Sequence, residues 1–415
     1  MDRPDNFEKL RIDDELAGEA ARRFATPLYV YDLNHLRRRG EDILAVAEKL
    51  DVRPFYAMKA NANRDVLATV KAMGFGVDTV SIGEVAAALK AGFSPAAIAY
   101  DGNNVADDEF RAVHERGVHV NVDSLSQLDR FGSLFPGAAA SVRLNPAIGA
   151  GHHGYVVTGG PKSKFGIGPE EIPEIHAIAA RRGITIDGLH LHIGSGFSDP
   201  EPYLRAMDFL IETSRRFADL RILDFGGGFG IPYRPTDAEF AWSPFLEAAA
   251  KKLAALRKEL HVRPLECRIQ PGRYLVAEAG TLLVTVTAVK RAAAHTFVGV
   301  DSGMNHLLRP ALYEAWHEIV NLTGRDRPKE RYTIVGAIEA KPAAGLISNE
   351  SPVGRALLGR VLRVLRGRGA RERRGAHEEK SRGAESRHGG PSMPRRPARS
   401  SGRRCQGSSS STIQP

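Results

Sequence analysis

From residue 53 to about residue 272 the chain alternates short apolar or β-branched runs with stretches whose apolar positions recur three and four apart. The runs 53–59, 76–80, 97–101, 119–123, 141–145, 186–193, 221–225 and 265–270 predict strands. The intervening stretches 65–73, 83–91, 107–116, 170–182, 202–217 and 244–260 predict helices. Eight strands, most followed by a helix, within roughly 220 residues is the count of a (β/α)8 TIM-type barrel, which is the predicted α/β fold class. An open doubly wound sheet is the structural alternative.

The pattern changes after residue 280. Residues 281–290 and 295–300 read as strands of a separate β unit, with 332–336 as a further candidate. The expected organisation is a barrel over 31–280, a second, truncated β domain from 1–30 and 281–340, and an Arg/Gly/Ser-rich tail over 341–415. In the tail Tyr and Phe are absent and no strand-length alternation is expected to survive; the apolar patch at 356–365 is broken by Gly and Arg. Such composition buries too little surface to offset the entropy of ordering, so the tail is expected to be disordered.

Hydrophobic residues make up 42% of the chain and charged residues 26%, ordinary values for a soluble enzyme. The net charge of +9 suggests a nucleic-acid partner, but its distribution does not. Residues 354–415 hold 15 Arg and 1 Lys against 4 Glu, which leaves the preceding 353 residues at −3. No nucleic acid is expected. Cys267 and Cys405 are far apart and offer neither a disulfide framework nor metal-ligand spacing, which fits a reducing cytoplasm. No apolar run approaches the roughly 20 residues that span a bilayer, and Met1-Asp2-Arg3-Pro4-Asp5 does not open a signal peptide; no membrane partner is expected.

Barrel chemistry collects at the C-terminal ends of the strands, and the unusual residues fall there. Lys59 ends the first predicted strand. It reads either as a snorkelling surface lysine or as a Schiff-base lysine kept reactive by partial desolvation. His190 and His192 share a face of a strand. They read as core histidines or as a ring stacked on a flat cofactor; a metal site is disfavoured because no further ligand stands at suitable spacing. Gly226, Gly227 and Gly228 follow the seventh strand, as a tight turn or as a backbone cradle for an anion. The run lacks the dinucleotide spacing and the Walker lysine. Arg273, after Gln270-Pro271-Gly272, and Arg309, in Arg309-Pro310-Ala311-Leu312-Tyr313, are surface charges or carboxylate clamps. Together they suggest a site for a phosphate-bearing aldehyde cofactor and an acidic amino acid.

At these motifs the chain resembles the diaminopimelate decarboxylases, within the alanine-racemase-like pyridoxal-phosphate enzymes. The likeness runs from about Thr26 to about Gly336, roughly three quarters of the chain. Tyr56-Ala57-Met58-Lys59-Ala60-Asn61, Gly159-Gly160-Pro161 leading to Lys164-Phe165-Gly166, His192-Ile193-Gly194-Ser195, Gly226-Gly227-Gly228-Phe229-Gly230 and Arg309-Pro310-Ala311-Leu312-Tyr313 occur in the family's order. The resemblance implies that Lys59 carries pyridoxal 5'-phosphate, that His192 stacks on its ring, and that Ser195 and Gly226 to Gly228 bind its phosphate. It implies that Arg273, Arg309 and Tyr313 hold the far carboxylate of meso-diaminopimelate, with lysine as product. It further implies a homodimer in which each site is completed by the other subunit.

Two departures stand out. Gln270 occupies the place where the family has Glu in Glu-Pro-Gly-Arg; an amide supplies no charge to the cofactor ring, so Gln270→Glu is expected to raise the rate. After Ile334-Val335-Gly336 the family continues into a Cys-Glu-Ser or Cys-Glu-Thr motif and a Gly-Ala-Tyr segment, whereas this chain reads Ala337-Ile338-Glu339-Ala340-Lys341-Pro342-Ala343. With GC-rich codons the neighbouring frame at 340–343 reads Glu-Thr-Gly, which points to a frameshift near 336–340. The altered end is expected to impair activity, to leave strand edges around 281–300 unpaired and to weaken the dimer.

Overall fold

The computed structural model describes residues 12–149, 160, 163–234, 236–259, 265–293, 295–313, 315–323 and 332–336, and the backbone of 362–366. Gly159, Pro161, the junction at 337–343 and the rest of the tail, with Cys405, lie outside the described residues. The strands are β1 (Leu28–Tyr31), β2 (Arg53–Ala57), β3 (Gly76–Thr79), β4 (Ile98–Tyr100), β5 (His119–Val122), β6 (Ala139–Arg143), β7 (Thr185–His190), β8 (Ile222–Asp224), β9 (Glu266–Ile269), β10 (Gly280–Arg291), β11 (Thr296–Val300), β12 (Ile319–Asn321), β13 (Thr333–Val335) and β14 (Leu362–Arg366).

Strands β2 to β9 form the expected barrel. They pair in parallel in chain order, and β9 closes on β2 with Arg53 opposite Arg268 and Pro54 opposite Ile269. All four residues of β3 and all three of β4 are buried, as strands covered on both faces must be. Polar caps launch the helices from the top of the barrel. Asn63, Ser81 and Ser124 each accept a backbone N–H in the first turn of the following helix, at Arg64–Ala72, Ile82–Lys90 and Leu125–Leu134. Glu84 returns a bond to Val80 N at 2.8 Å, tying the third strand's exit to its helix.

The predicted strands run too long at their exits. Residues 58–60 form a 3-10 turn, and β6 and β7 end at Arg143 and His190. The backbone turns there because the strand ends are where the barrel opens onto its cavity. That places Lys59 and His192 on loops.

The second sheet has the order β12-β14-β10-β11-β13, with β1 antiparallel to the start of β10. Two expectations are corrected here. The edges of β10 are covered, by β1 and β11 and by β14, which pairs in parallel over Leu282–Val286. Strand β14 itself lies in the stretch expected to hold no strand. Free backbone groups along β10 recruit any extended segment within reach, a need that side-chain alternation does not report.

Candidate active site

Strand β2 is buried through Ala57, and the turn after it carries Lys59. The Lys59 side chain is 46% accessible, while Nζ lies 2.7 Å from Asp78 Oδ2, on a side chain with no exposure. Burial disfavours the ammonium most, but Asp78 and then Asp101 together outweigh it, and the amine is held above its ordinary value. Beside the desolvation expected from the sequence, a buried carboxyl at contact distance thus favours the protonated amine.

Asp78 stands in a group of buried acids. Burial holds its carboxyl well above the usual carboxylate range, and neighbouring Asp101 adds to the rise. Asp101 is held well below that range despite its own burial, because His190 faces it and Asp78 and Asn121 donate to it. His190 Nε2 is 3.7 Å from Asp101 Oδ2, and neither ring nitrogen of His190 has a hydrogen-bond partner among the described residues. Gln270 Nε2 donates to Asp101 Oδ2 at 2.8 Å and to Asp224 Oδ2 at 3.0 Å. Burial also raises the Asp224 carboxyl.

His192 lies just past β7. Its Nδ1 accepts from Gly227 N at 3.3 Å, which leaves the ring proton on Nε2. Burial, with Lys59 and then Arg143 nearby, pushes the ring's basicity well below the ordinary histidine value, so His192 is neutral near pH 7. The glycine run wraps beneath it. Gly226 and Gly228 have φ of +66° and +116°, and a Cβ on Gly227 would sit 1.8 Å from the carbonyl oxygen of Gln270. Asp224 Oδ1 accepts from Gly226 N at 2.9 Å and fixes the turn.

Arg273 donates to Ser195 Oγ from both Nε and Nη2, each at 3.1 Å, and from Nη1 to Tyr233 OH. Arg309 stacks on the same ring, its guanidinium 4.4 Å from the Tyr233 centroid, and its Nη1 is 3.2 Å from His317 Nε2. Burial lowers the Arg309 pKa and the Arg273 charge lowers it further, so the pair gains by meeting an anion. Lys59, His192, Ser195, Gln270, Arg309 and Tyr313 line one cavity of about 620 Å³ between the barrel and the second sheet.

The structure thus brings together Lys59, His192, Ser195, Gly228, Gln270, Arg273, Arg309 and Tyr313 around one space, with Gly226 and Gly227 packed just behind it. Sequence reasoning missed Asp78, Asp101, Arg143, Asp224 and Tyr233. The first four carry the same signal as Lys59, a charge at the end of a buried apolar strand. No group of three or more side chains suited to a metal ion occurs among the described residues. The donor set fits a phosphate-bearing aldehyde: an amine in the cavity, a neutral imidazole, a hydroxyl beside a guanidinium, and a glycine backbone at positions no Cβ can occupy.

Fold and site define a pyridoxal-dependent decarboxylase: residues 33–277 match the family described as "Pyridoxal-dependent decarboxylase, pyridoxal binding domain". The chain belongs to the diaminopimelate decarboxylase family within it. It is 40% identical over 336 residues to the diaminopimelate decarboxylase of Methanothermobacter thermautotrophicus, covering 78% of this chain and 77% of that one. It is 37% identical over 331 residues to that of Pseudomonas aeruginosa, covering 77% of each. The diaminopimelate decarboxylase of Helicobacter pylori, solved with L-lysine, superposes with a TM-score of 0.69 at 30% identity, over 77% of this chain and 81% of that one. Residues 317–362 also match the family described as "Transcription elongation factor, GreA/GreB, C-term", a stretch of about a tenth of the chain.

Proposed function

We propose that this chain decarboxylates meso-2,6-diaminopimelate to L-lysine and CO2 with pyridoxal 5'-phosphate as cofactor. The observation that carries the reading is that Lys59 and the Arg309–Tyr313 helix face the same cavity of about 620 Å³. One end offers an amine partnered by a buried acid, the other two guanidinium groups. A substrate with an amino acid at each end matches both.

When bound, the cofactor supplies an electron sink for the pair left at the substrate carbon as CO2 departs. Lys59 Nζ would hold it covalently. The His192 ring, neutral and anchored through Nδ1, would cover its face. Ser195 Oγ and the glycine run would hold its phosphate, with Gly228 at the cavity and Gly226 and Gly227 shaping the turn behind it through Asp224 and His192, and Gln270 would line the site beside it. Asp78 Oδ2, 2.7 Å from Lys59 Nζ, would hold the amine in place as its hydrogen-bond partner. Arg309 and Tyr313 orient the far carboxylate, with Arg273 beside them, and both guanidinium groups pack against the Tyr233 ring.

The reading extends to a cytoplasmic homodimer, weakened by the altered C-terminus. Light scattering measures the oligomer and cell fractionation the location. The deciding experiment is lysine formation from meso-diaminopimelate, with L-ornithine and L-arginine as alternative substrates. Release of CO2 from ornithine or arginine in preference to diaminopimelate overturns the assignment.

A further inference from the structure

We propose that Gln270 is a positioning residue whose carboxamide clamps Asp101 to Asp224 and so locks the Lys59 end of the cavity to its glycine end. The inference rests on the cofactor site described above and deepens it. Both partners of Nε2 are carboxyl oxygens, at 2.8 and 3.0 Å, so the amide orientation is dictated by chemistry: the NH2 group must face them. All three side chains are buried, Gln270 to 4%, Asp101 to 7% and Asp224 to 1% exposure. On one side, Asp101 is hydrogen bonded to Asp78, the partner of Lys59. On the other, Asp224 Oδ1 holds Gly226 N. The backbone reinforces the link, since Gln270 N donates to Gly226 O at 2.7 Å and Gly227 packs against Gln270 O.

A carboxylate at this position would lose both donors and face two acids at hydrogen-bond distance. Asp78, Asp101 and Asp224 supply the acidic side of this ring. Arg143 and His190 face the acids from β6 and β7, Lys59 and His192 from the loops after β2 and β7, and Arg268 faces Asp224 from β9. Burial already holds Asp78 and Asp224 above the carboxylate range, so a further acid there must bind a proton to be tolerated. The clamp therefore predicts a stability cost for Gln270→Glu, separate from the rate gain expected from a charge beside the cofactor ring. The new carboxyl would have a raised pKa in the folded state. Its contribution is tolerated near or below the unfolded value of about 4.3 and becomes destabilising as pH rises above it.

The test is thermal unfolding of the full chain and its variants from about pH 5 to pH 8, with and without pyridoxal 5'-phosphate, together with cofactor affinity by fluorescence titration. Gln270→Glu should show a Tm deficit against the parent that widens as pH rises. Gln270→Met, which has neither donor nor charge, should show a deficit independent of pH. Both should bind the cofactor at least about tenfold more weakly. The double variant Gln270→Glu/Asp224→Asn returns a donor to the pair and should recover stability at pH 8, also if Gln270→Glu alone does not fold. A Gln270→Glu curve parallel to the parent, or a double variant no better than the single one, overturns the clamp. Failure of the parent to bind cofactor overturns the functional reading instead, and the unfolding curves without cofactor still decide the clamp.

Discussion

Lys59 Nζ and Asp78 Oδ2 lie 2.7 Å apart, on adjacent barrel strands' exits, with the carboxyl fully buried. This contact sets the protonation of the residue on which the proposed chemistry depends. Removing the charge with Asp78→Asn should lower the Lys59 pKa, because the largest effect raising it is Asp78 itself. The pH at which the lysine forms its covalent adduct with pyridoxal 5'-phosphate should then move down, read by absorbance across a pH series. Lys59→Ala should abolish the adduct trapped by borohydride; an adduct that persists means another amine carries the cofactor.

Gly227→Ala should damage both fold and site. Its Cβ would meet a main-chain oxygen at 1.8 Å, and neither atom is on a flexible side chain. Overpacking of this kind costs about 1–3 kcal/mol or more. Calorimetry should show a lower Tm, and titration a weaker affinity for pyridoxal 5'-phosphate. An unchanged Tm means the turn relaxes without cost.

Arg309→Leu should remove a charged partner of the substrate's far carboxylate while leaving the barrel intact. Hydrogen bonds to charged groups contribute about 1.5–3 kcal/mol, so kcat/KM should fall by about 10- to 100-fold, chiefly through KM. Cofactor affinity should hold. Equal losses in cofactor binding and in KM place Arg309 in the fold's support rather than at the substrate.

His192 carries a pH signature in stability. Its folded pKa is well below the ordinary histidine value, so between the two values the unfolded chain binds more protons. Stability from this group is complete above about pH 6.5 and is lost as pH falls below that value. Denaturant unfolding of the parent and of His192→Gln should differ most in that acid window, with the variant losing less on acidification. Parallel curves mean the ring is protonated in the fold.

The C-terminus has its own test. The family's Cys-Glu segment does not follow Gly336, so the chain as it stands should form little lysine. Replacing residues after Val335 with the corresponding end of the Methanothermobacter thermautotrophicus relative should restore activity at matched soluble concentration. Equal activity of both forms shows that the altered end is no lesion. Long-read sequencing of gene and transcript decides how it arose. A single frame to Pro415 in both excludes a frameshift.

The barrel was legible in the sequence because its strands are short apolar runs and its helices keep one apolar face, both local periodicities. Lys59, His192, the glycine run and Arg309 were legible too, since each interrupts its surroundings with a residue type that is costly or conformationally special there. What the sequence by itself could not decide is which of these meet. Asp78, Asp101 and Asp224 are separated by dozens of residues, and only closure of β3, β4 and β8 into one barrel directs all three carboxyls inward. The mutual shifts of these carboxyls, the raised lysine and the clamp proposed at Gln270 follow from that convergence in a low-dielectric interior, where interactions between charges are strong. The same holds for β14. Its composition argued for no structure, and the free edge of β10, a feature of the backbone in three dimensions, gave it a partner.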